Sequence, residues 1–185
     1  MTRLATLSLA ALAALALAGC GNKVDTAIVG ETEGIYVGVD GLTYQVQISR
    51  ILDPASPEDQ AYLRGLPEEE AEPADDEVWF GIFMRVENEG DEEREAAEEF
   101  VIHDTQETRF EPVELDADAN AFAYEPGPVG PGELIPEPNS PGADNTIQGA
   151  LLLYKMKVAS LGNRPLELEI ESQEGGDNAV VELDV

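Results

Sequence analysis

Apolar residues recur at every second position in several separate stretches of the chain, the pattern of strands with one buried face. Leu166, Leu168 and Ile170 interleave with Glu167, Glu169 and Glu171, and Val181, Leu183 and Val185 interleave with Glu182 and Asp184. Gly175, Gly176, Asp177 and Asn178 lie between them and supply turn chemistry, so the two stretches are predicted to pair as a hairpin. Upstream, Tyr44, Val46 and Ile48 alternate with Thr43, Gln45, Gln47 and Ser49. The Asp40, Gly41 pair before them predicts a turn back onto residues 35 to 39.

Two segments are apolar on both faces. VWFGIFMRV (78 to 86) and IQGALLLYKMKV (147 to 158) read as central strands covered on each side, with Phe80, Ile82, Met84, Leu151 and Leu153 in the core. Phe100 to Ile102 and Arg109 to Leu115 add two shorter strands around a turn at Asp104 to Glu107. Many short strands separated by turns predict an all-β antiparallel sandwich rather than an α/β enzyme. One short helix is expected, with Ser56 as N-cap, Pro57 at the first helical position, an acid at Asp59 and a stop at Gly65. Pro67 to Glu77 holds seven acids in eleven residues, and Glu87 to Glu99 holds eight in thirteen; both are expected as solvated loops. Pro126 to Gly142, with six Pro and four Gly, reads as an extended surface crossover.

The start of the chain has a different character. Arg3 precedes an apolar run from Leu4 to Leu17, about 14 residues where a bilayer core needs ~20, so the segment reads as a signal peptide and not a spanning helix. Leu17, Ala18, Gly19 and Cys20 resemble the lipobox of bacterial lipoproteins, in which the cysteine receives a lipid with acyl chains such as palmitate and becomes the first mature residue. Cys20 is the one cysteine in the sequence, so the expected fold stands without a disulfide. The domain reading is therefore a signal peptide over 1–19, a lipid-anchored tether over 20–34 and a sandwich over 35–185, on the extracytoplasmic face of the cell membrane.

Charge narrows the partners. With 10 Lys and Arg against 39 Asp and Glu the formal charge is −29, which argues against nucleic acid, since phosphate backbones require clustered cations. His103 is the lone histidine and offers neither a zinc cluster nor a nucleophile's base with its orienting partner. Met84 and Met156 sit inside apolar strands and read as core. No enzymatic role and no cofactor is expected, because acid pairs arise by chance at this composition and no phosphate-binding glycine loop follows a strand. Asp116, Asp118 and Asn120 match the first three ligand positions of a calcium loop, but Ala121 and Gly127 stand where its glycine and glutamate belong. Asp turns explain the same residues in a strand connection. Phe122 and Tyr124, beside the Pro-Gly segment, are candidates for an exposed aromatic binding patch.

FGIFMRVEN (80 to 88), FVIHDTQETRFEPVEL (100 to 115), a Pro-Gly loop and IQGALLLYKM (147 to 156) follow one another in an order that resembles the immunoglobulin-like extracellular domain of lipoproteins from actinobacteria and related bacteria. In that family a glycine usually stands in the Asp turn, where this chain has Gln106 and Glu107, and a proline usually closes the long strand, where none follows Met156. The resemblance implies a sandwich fold and a lipid-anchored address without an assigned chemistry. Three roles fit: an interaction module contacting a surface protein or envelope component, a passive structural envelope lipoprotein, and a calcium-responsive domain.

Overall fold

The computed structural model describes residues 27–70 and 72–185; Cys20, the signal segment and residues 20–26 of the expected tether lie outside the described residues. The strands in chain order are β1 (Val29–Gly30), β2 (Tyr36–Val39), β3 (Leu42–Leu52), β4 (Glu77–Glu87), β5 (Arg94–Glu95), β6 (Phe100–His103), β7 (Arg109–Phe110), β8 (Pro128–Val129), β9 (Leu134–Ile135), β10 (Ala150–Lys157), β11 (Leu166–Ile170) and β12 (Ala179–Leu183). One sheet runs β10-β4-β3-β2, with β9 continuing along β4 beyond the end of β10. The second runs β1-β12-β11-β6-β7, and β5 pairs with β8 as a small ribbon. Apart from the parallel β1 and β12 pair, the ladders are antiparallel, so the fold is an all-β, immunoglobulin-like antiparallel sandwich.

The alternating pattern of β11 and β12 pairs as the sequence implies. Leu166 faces Leu183, Leu168 faces Val181 and Ile170 faces Ala179, and all six are buried. The β2 to β3 turn places Asp40 at φ 50° and Gly41 at φ 81°, the two left-handed positions of a primed hairpin turn. In β3 the alternation does not persist. The register shifts between Val46 and Ile48, so Gln47 is an extra residue and the buried face changes phase. Ile48, expected inside, is 37% exposed, while Ser49 beside it is only 6% exposed.

β4 lies between β3 and β10 and is covered on both faces. Phe80, Ile82, Met84 and Val86 join the core between the sheets, along with Tyr154 and Met156 of β10. Trp79 and Phe83 point to the other side, where Leu52, Leu151, Leu153 and Tyr62 form a second apolar cluster. Leu63, Leu66, Val113, Leu115 and Phe122 cover that cluster, so the segments after β3 and after β7 act as a lid over the outer face of the sheet. Gly149 precedes β10 at φ 126°, and a Cβ there would lie 2.8 Å from the Phe83 carbonyl carbon, which explains why this approach is made by glycine.

Four expectations change. The helix expected over 56–65 is a single 3-10 turn at Asp59–Ala61, because Asp59 is drawn inward to Arg50 (2.8 Å) and the Asp53 N–H (2.8 Å) instead of capping a helix. The strand expected over 109–115 is only the two residues of β7, and Val113 instead donates its N–H to Leu153 at 2.7 Å. Residues 27–34, expected in the tether, are docked: β1 pairs with β12, and Glu33 accepts from the N–H groups of Ser49 and Asp184, each at 3.1 Å. The acidic runs are also partly latched down. Glu70 pairs with Lys155, whose ammonium lies 5.1 Å over the Trp79 ring, and Lys157 pairs with Asp76 (3.1 Å) and Glu77 (2.9 Å).

Candidate functional site

The candidate calcium residues occupy one loop but do not converge. Asp116 Oδ1 accepts the Asp118 N–H at 3.0 Å, and Asn120 Oδ1 accepts the Phe122 N–H at 3.0 Å, so each closes a local Asx turn. Asn120 is buried and its amide donates to the carbonyl oxygens of Tyr62 (2.9 Å) and Arg64 (3.0 Å). It therefore ties the lid segments together and offers no free oxygen beside Asp116. Among the described residues no group of three or more His, Cys, Asp or Glu side chains is arranged to hold a metal ion.

Phe122 and Tyr124 do not form an exposed patch either. Phe122 packs edge-on against Tyr62 at 4.9 Å between ring centres, within the second apolar cluster. Tyr124 packs edge-on against Phe100 at 5.0 Å, and its hydroxyl donates to the Ala97 carbonyl at 2.9 Å. Tyr44 holds the same residue through its other backbone group, accepting the Ala97 N–H at 2.8 Å. Burial pushes both phenols up, Tyr44 to about 12 despite the Ala97 hydrogen bond, so both remain neutral donors or acceptors. His103 lies on the outer face of the second sheet, 3.0 Å from Glu169, whose other oxygen accepts from Asn178. Met84 and Met156 are fully buried.

What the residues around Phe122 and Tyr124 do build is a groove. Phe122 O and Tyr124 N bond to the Leu151 backbone at 2.6 and 2.9 Å, laying residues 121–125 beside the start of β10. The Pro-rich crossover runs beside this region, tied down by β8 on β5 and by β9 on β4. Between them lies an open groove of about 710 Å³, bordered by Ala123 and Glu125 on one wall and Glu133, Ile135 and Glu137 on the other. Asn88 anchors the second wall. It is fully buried, donates from its amide to Val129 and Glu92 carbonyls at 2.7 and 2.8 Å, and its N–H donates to the Glu133 carbonyl. A smaller cleft of about 240 Å³ lies on the other side of Pro136 and Pro138, with Arg85, Gln47 and Gln148 in its lining. The Arg85 Nε is buried there without a hydrogen-bond partner.

Sequence reasoning missed Asn88 and Asn120 as the two buried amides that shape this region. The signal for Asn88 was its place at the end of an apolar strand, next to two turn-rich segments it could join.

No family model matches the chain, and no curated protein does. Solved structures share its fold. The yjhA protein of Bacillus subtilis superposes with a TM-score of 0.55 at 14% identity, over 83% of this chain and 99% of that one. A functionally unknown protein of Listeria monocytogenes gives 0.51 at 10% identity, over 84% of each chain. The Bacillus subtilis protein ycdA, described provisionally as a lipoprotein, gives 0.50 at 12% identity over 83% of this chain, which spans 39% of that one. At these identities the likeness shows the fold alone: a β-sandwich shared with uncharacterised bacterial proteins.

Proposed function

We propose that the chain is a lipid-anchored, extracytoplasmic β-sandwich acting as a non-catalytic interaction module at the cell surface. Its address is supported by the Leu17-Ala18-Gly19-Cys20 sequence behind an apolar run, and the order of the three strand motifs supports a place among immunoglobulin-like lipoprotein domains. Residues 20–26 separate the proposed anchor from the first docked residue, Ala27, and seven residues span at most about 25 Å. The module is thereby kept close to the membrane.

The observation that carries the interaction reading is the groove beside the Pro-rich crossover, built on strands and fixed by the buried Asn88. A photo-crosslinking residue at position 121, at the groove, is expected to trap one discrete envelope or surface component in intact cells, whereas one at position 182 on the opposite sheet traps none. Equal or absent crosslinking from both positions favours a passive structural lipoprotein. Cys20→Ser is expected to release the protein to the medium or leave an unprocessed precursor, since acyl chains provide the anchoring. Unchanged fractionation and mass in that variant overturn the address.

A further inference from the structure

We propose that the sandwich rests on the lipid surface through one edge, formed by β1, β2 and the second half of β3; this inference rests on the lipid-anchored address proposed above.

Topology gathers this edge. β2 ends the first sheet and β1 ends the second, and the two meet where Ala27 bridges Val37 and the Gly38 N–H donates to the Ala27 carbonyl at 2.9 Å. β2 pairs only with Leu42 to Gln45 of β3, so among the described residues no strand covers the outer side of β3 from Ile48 to Leu52. Six large apolar residues stand exposed among the described residues, and five of them, Ile28, Val29, Tyr36, Ile48 and Ile51, lie on or beside these three strands. Val29 is 58% exposed and Tyr36 47%, although both belong to strands. The sixth, Val158, follows β10 at the opposite edge of the first sheet. Exposed apolar residues scattered singly need no explanation, whereas their collection along one edge marks a surface that meets something apolar.

The length of chain before the fold sets the occupant. Cys20, the proposed site of lipid attachment, lies seven residues before Ala27, and Ala27 docks on this edge. Acyl chains in the bilayer therefore keep the edge within about 25 Å of the surface, an effective concentration of order millimolar at which a few apolar side chains suffice for seating. Tyr36 adds an apolar ring with a polar tip, which suits the headgroup level. Charge is arranged to match. Residues 27–52 hold only three acids, Glu31, Glu33 and Asp40. Glu33 is taken up by the Ser49 and Asp184 N–H groups, and Asp40 by the Ser172 hydroxyl at 2.6 Å and the Gln173 N–H at 2.8 Å. The acidic run over 67–77 is instead latched to Lys155 and Lys157 of β10, at the far edge of the same sheet. A second copy on the open side of β3 would bring together two chains of charge −29, which disfavours it as the occupant. Seating on β1, β2 and β3 leaves residues 121–125, which lie along β10 and border the groove, on the side away from the lipid.

The test uses the full lipidated chain, isolated from its host and reconstituted into phosphatidylcholine vesicles that carry a nitroxide quencher on the lipid. Tyr36→Cys, Ile51→Cys and Val158→Cys each supply one thiol for a small fluorophore, since lipid occupies Cys20 in the proposed mature chain. Quenching by about half or more is expected at positions 36 and 51, and less than about a tenth at 158, because most of the tethered molecules are seated. Val29→Asp combined with Ile48→Asp, both at exposed positions, is expected to reduce the quenching at position 36 at least about threefold while flotation with the vesicles stays unchanged, the acyl chains being intact. Equal quenching at the three positions, or none at any, in protein that floats with the vesicles overturns the inference and leaves the lipid-anchored address standing. Energy transfer between labelled copies at position 51, without lipid quenching, assigns the edge to a second copy and likewise overturns it. Protein that does not float with the vesicles removes the address, and the inference with it.

Discussion

The Asn88 side-chain amide donates to the Val129 carbonyl at 2.7 Å, joining the end of β4 to the Pro-rich crossover 41 residues further along the chain. The same nitrogen donates to Glu92 at 2.8 Å and the side-chain oxygen accepts the Gly90 N–H at 2.9 Å, so one fully buried side chain holds both the acidic loop after β4 and the wall of the groove. Asn88→Ala leaves these groups without partners inside the protein. The expected loss is roughly 2–4 kcal/mol, from the cost of stranding buried polar groups. It would appear as a lower urea midpoint with an unchanged slope. A change within about 0.5 kcal/mol would show that the crossover holds its place without Asn88.

The bulge at Gln47 yields a test of register. Val46 is fully buried and faces Met84, whereas Ile48 faces Phe83 and is 37% exposed. Val46→Ala is expected to cost about 2 kcal/mol through lost burial and a residual cavity, and Ile48→Ala less than about 1. Uninterrupted alternation through Ile48 predicts similar costs for both, so two unfolding curves decide between them.

That bulge also shows where sequence reading stops. The hairpin of β11 and β12 was legible because each buries one face, leaving apolar residues such as Leu168 and Val181 at alternate positions. One extra residue in β3 leaves no comparable mark, since Gln47 and Ser49 are polar whichever way they point. The two-sided burial of β4 was visible in the run from Val78 to Val86, but not what covers its outer face, because Tyr62 and Phe122 come from segments without periodicity. Asn120 was open to two readings for a chemical reason: a calcium loop and successive Asx turns place oxygen-bearing side chains at the same two-residue spacing. Only the direction of the Asn120 amide separates them.

Glu107 occupies the turn between β6 and β7 at φ 63°, in the left-handed region where glycine is expected by resemblance. Its N–H donates to the Asp104 carbonyl at 2.9 Å, and that bond survives any side-chain change. A side chain in this conformation costs roughly 1–2 kcal/mol, while glycine's extra freedom in the unfolded chain costs ~0.5–1. The difference favours Glu107→Gly by about 0.5–1 kcal/mol, or roughly 1–4 °C in melting temperature for a chain of this size. A lower melting temperature would mean that the Glu107 side chain makes a compensating interaction.

Acid should first stabilise this protein and then unfold it, because its perturbed carboxylates pull in opposite directions. Burial pushes the Glu171 carboxyl up, as do the hydrogen bond and charge of Glu99 and the charge of Glu169, with Arg109 opposing. A group raised in the folded state contributes stability that is complete below its unfolded value and lost as pH rises through its folded value, so Glu171 weakens the fold at neutral pH and ceases to do so on mild acidification. Asp104 is the reverse case. Burial pushes it up, but hydrogen bonds from Asn163, the Thr108 N–H, Ser160 and the Gln106 N–H outweigh burial and hold its carboxyl well below the usual range. Glu169 is lowered too, chiefly by Asn178 and further by His103 against its own burial. Stability from these two is present above the unfolded carboxylate range, near pH 4, and is lost as pH falls through their depressed folded values. At fixed ionic strength the melting temperature is therefore expected to rise from pH 7 to about pH 5 and to fall below about pH 4. Glu171→Gln should raise it at pH 7 and flatten the rise, while Asp104→Asn should lower it at pH 7 and flatten the acid limb. A melting temperature that falls steadily from pH 7, in the parent and in Glu171→Gln alike, would contradict the assigned role of the Glu99 and Glu171 pair.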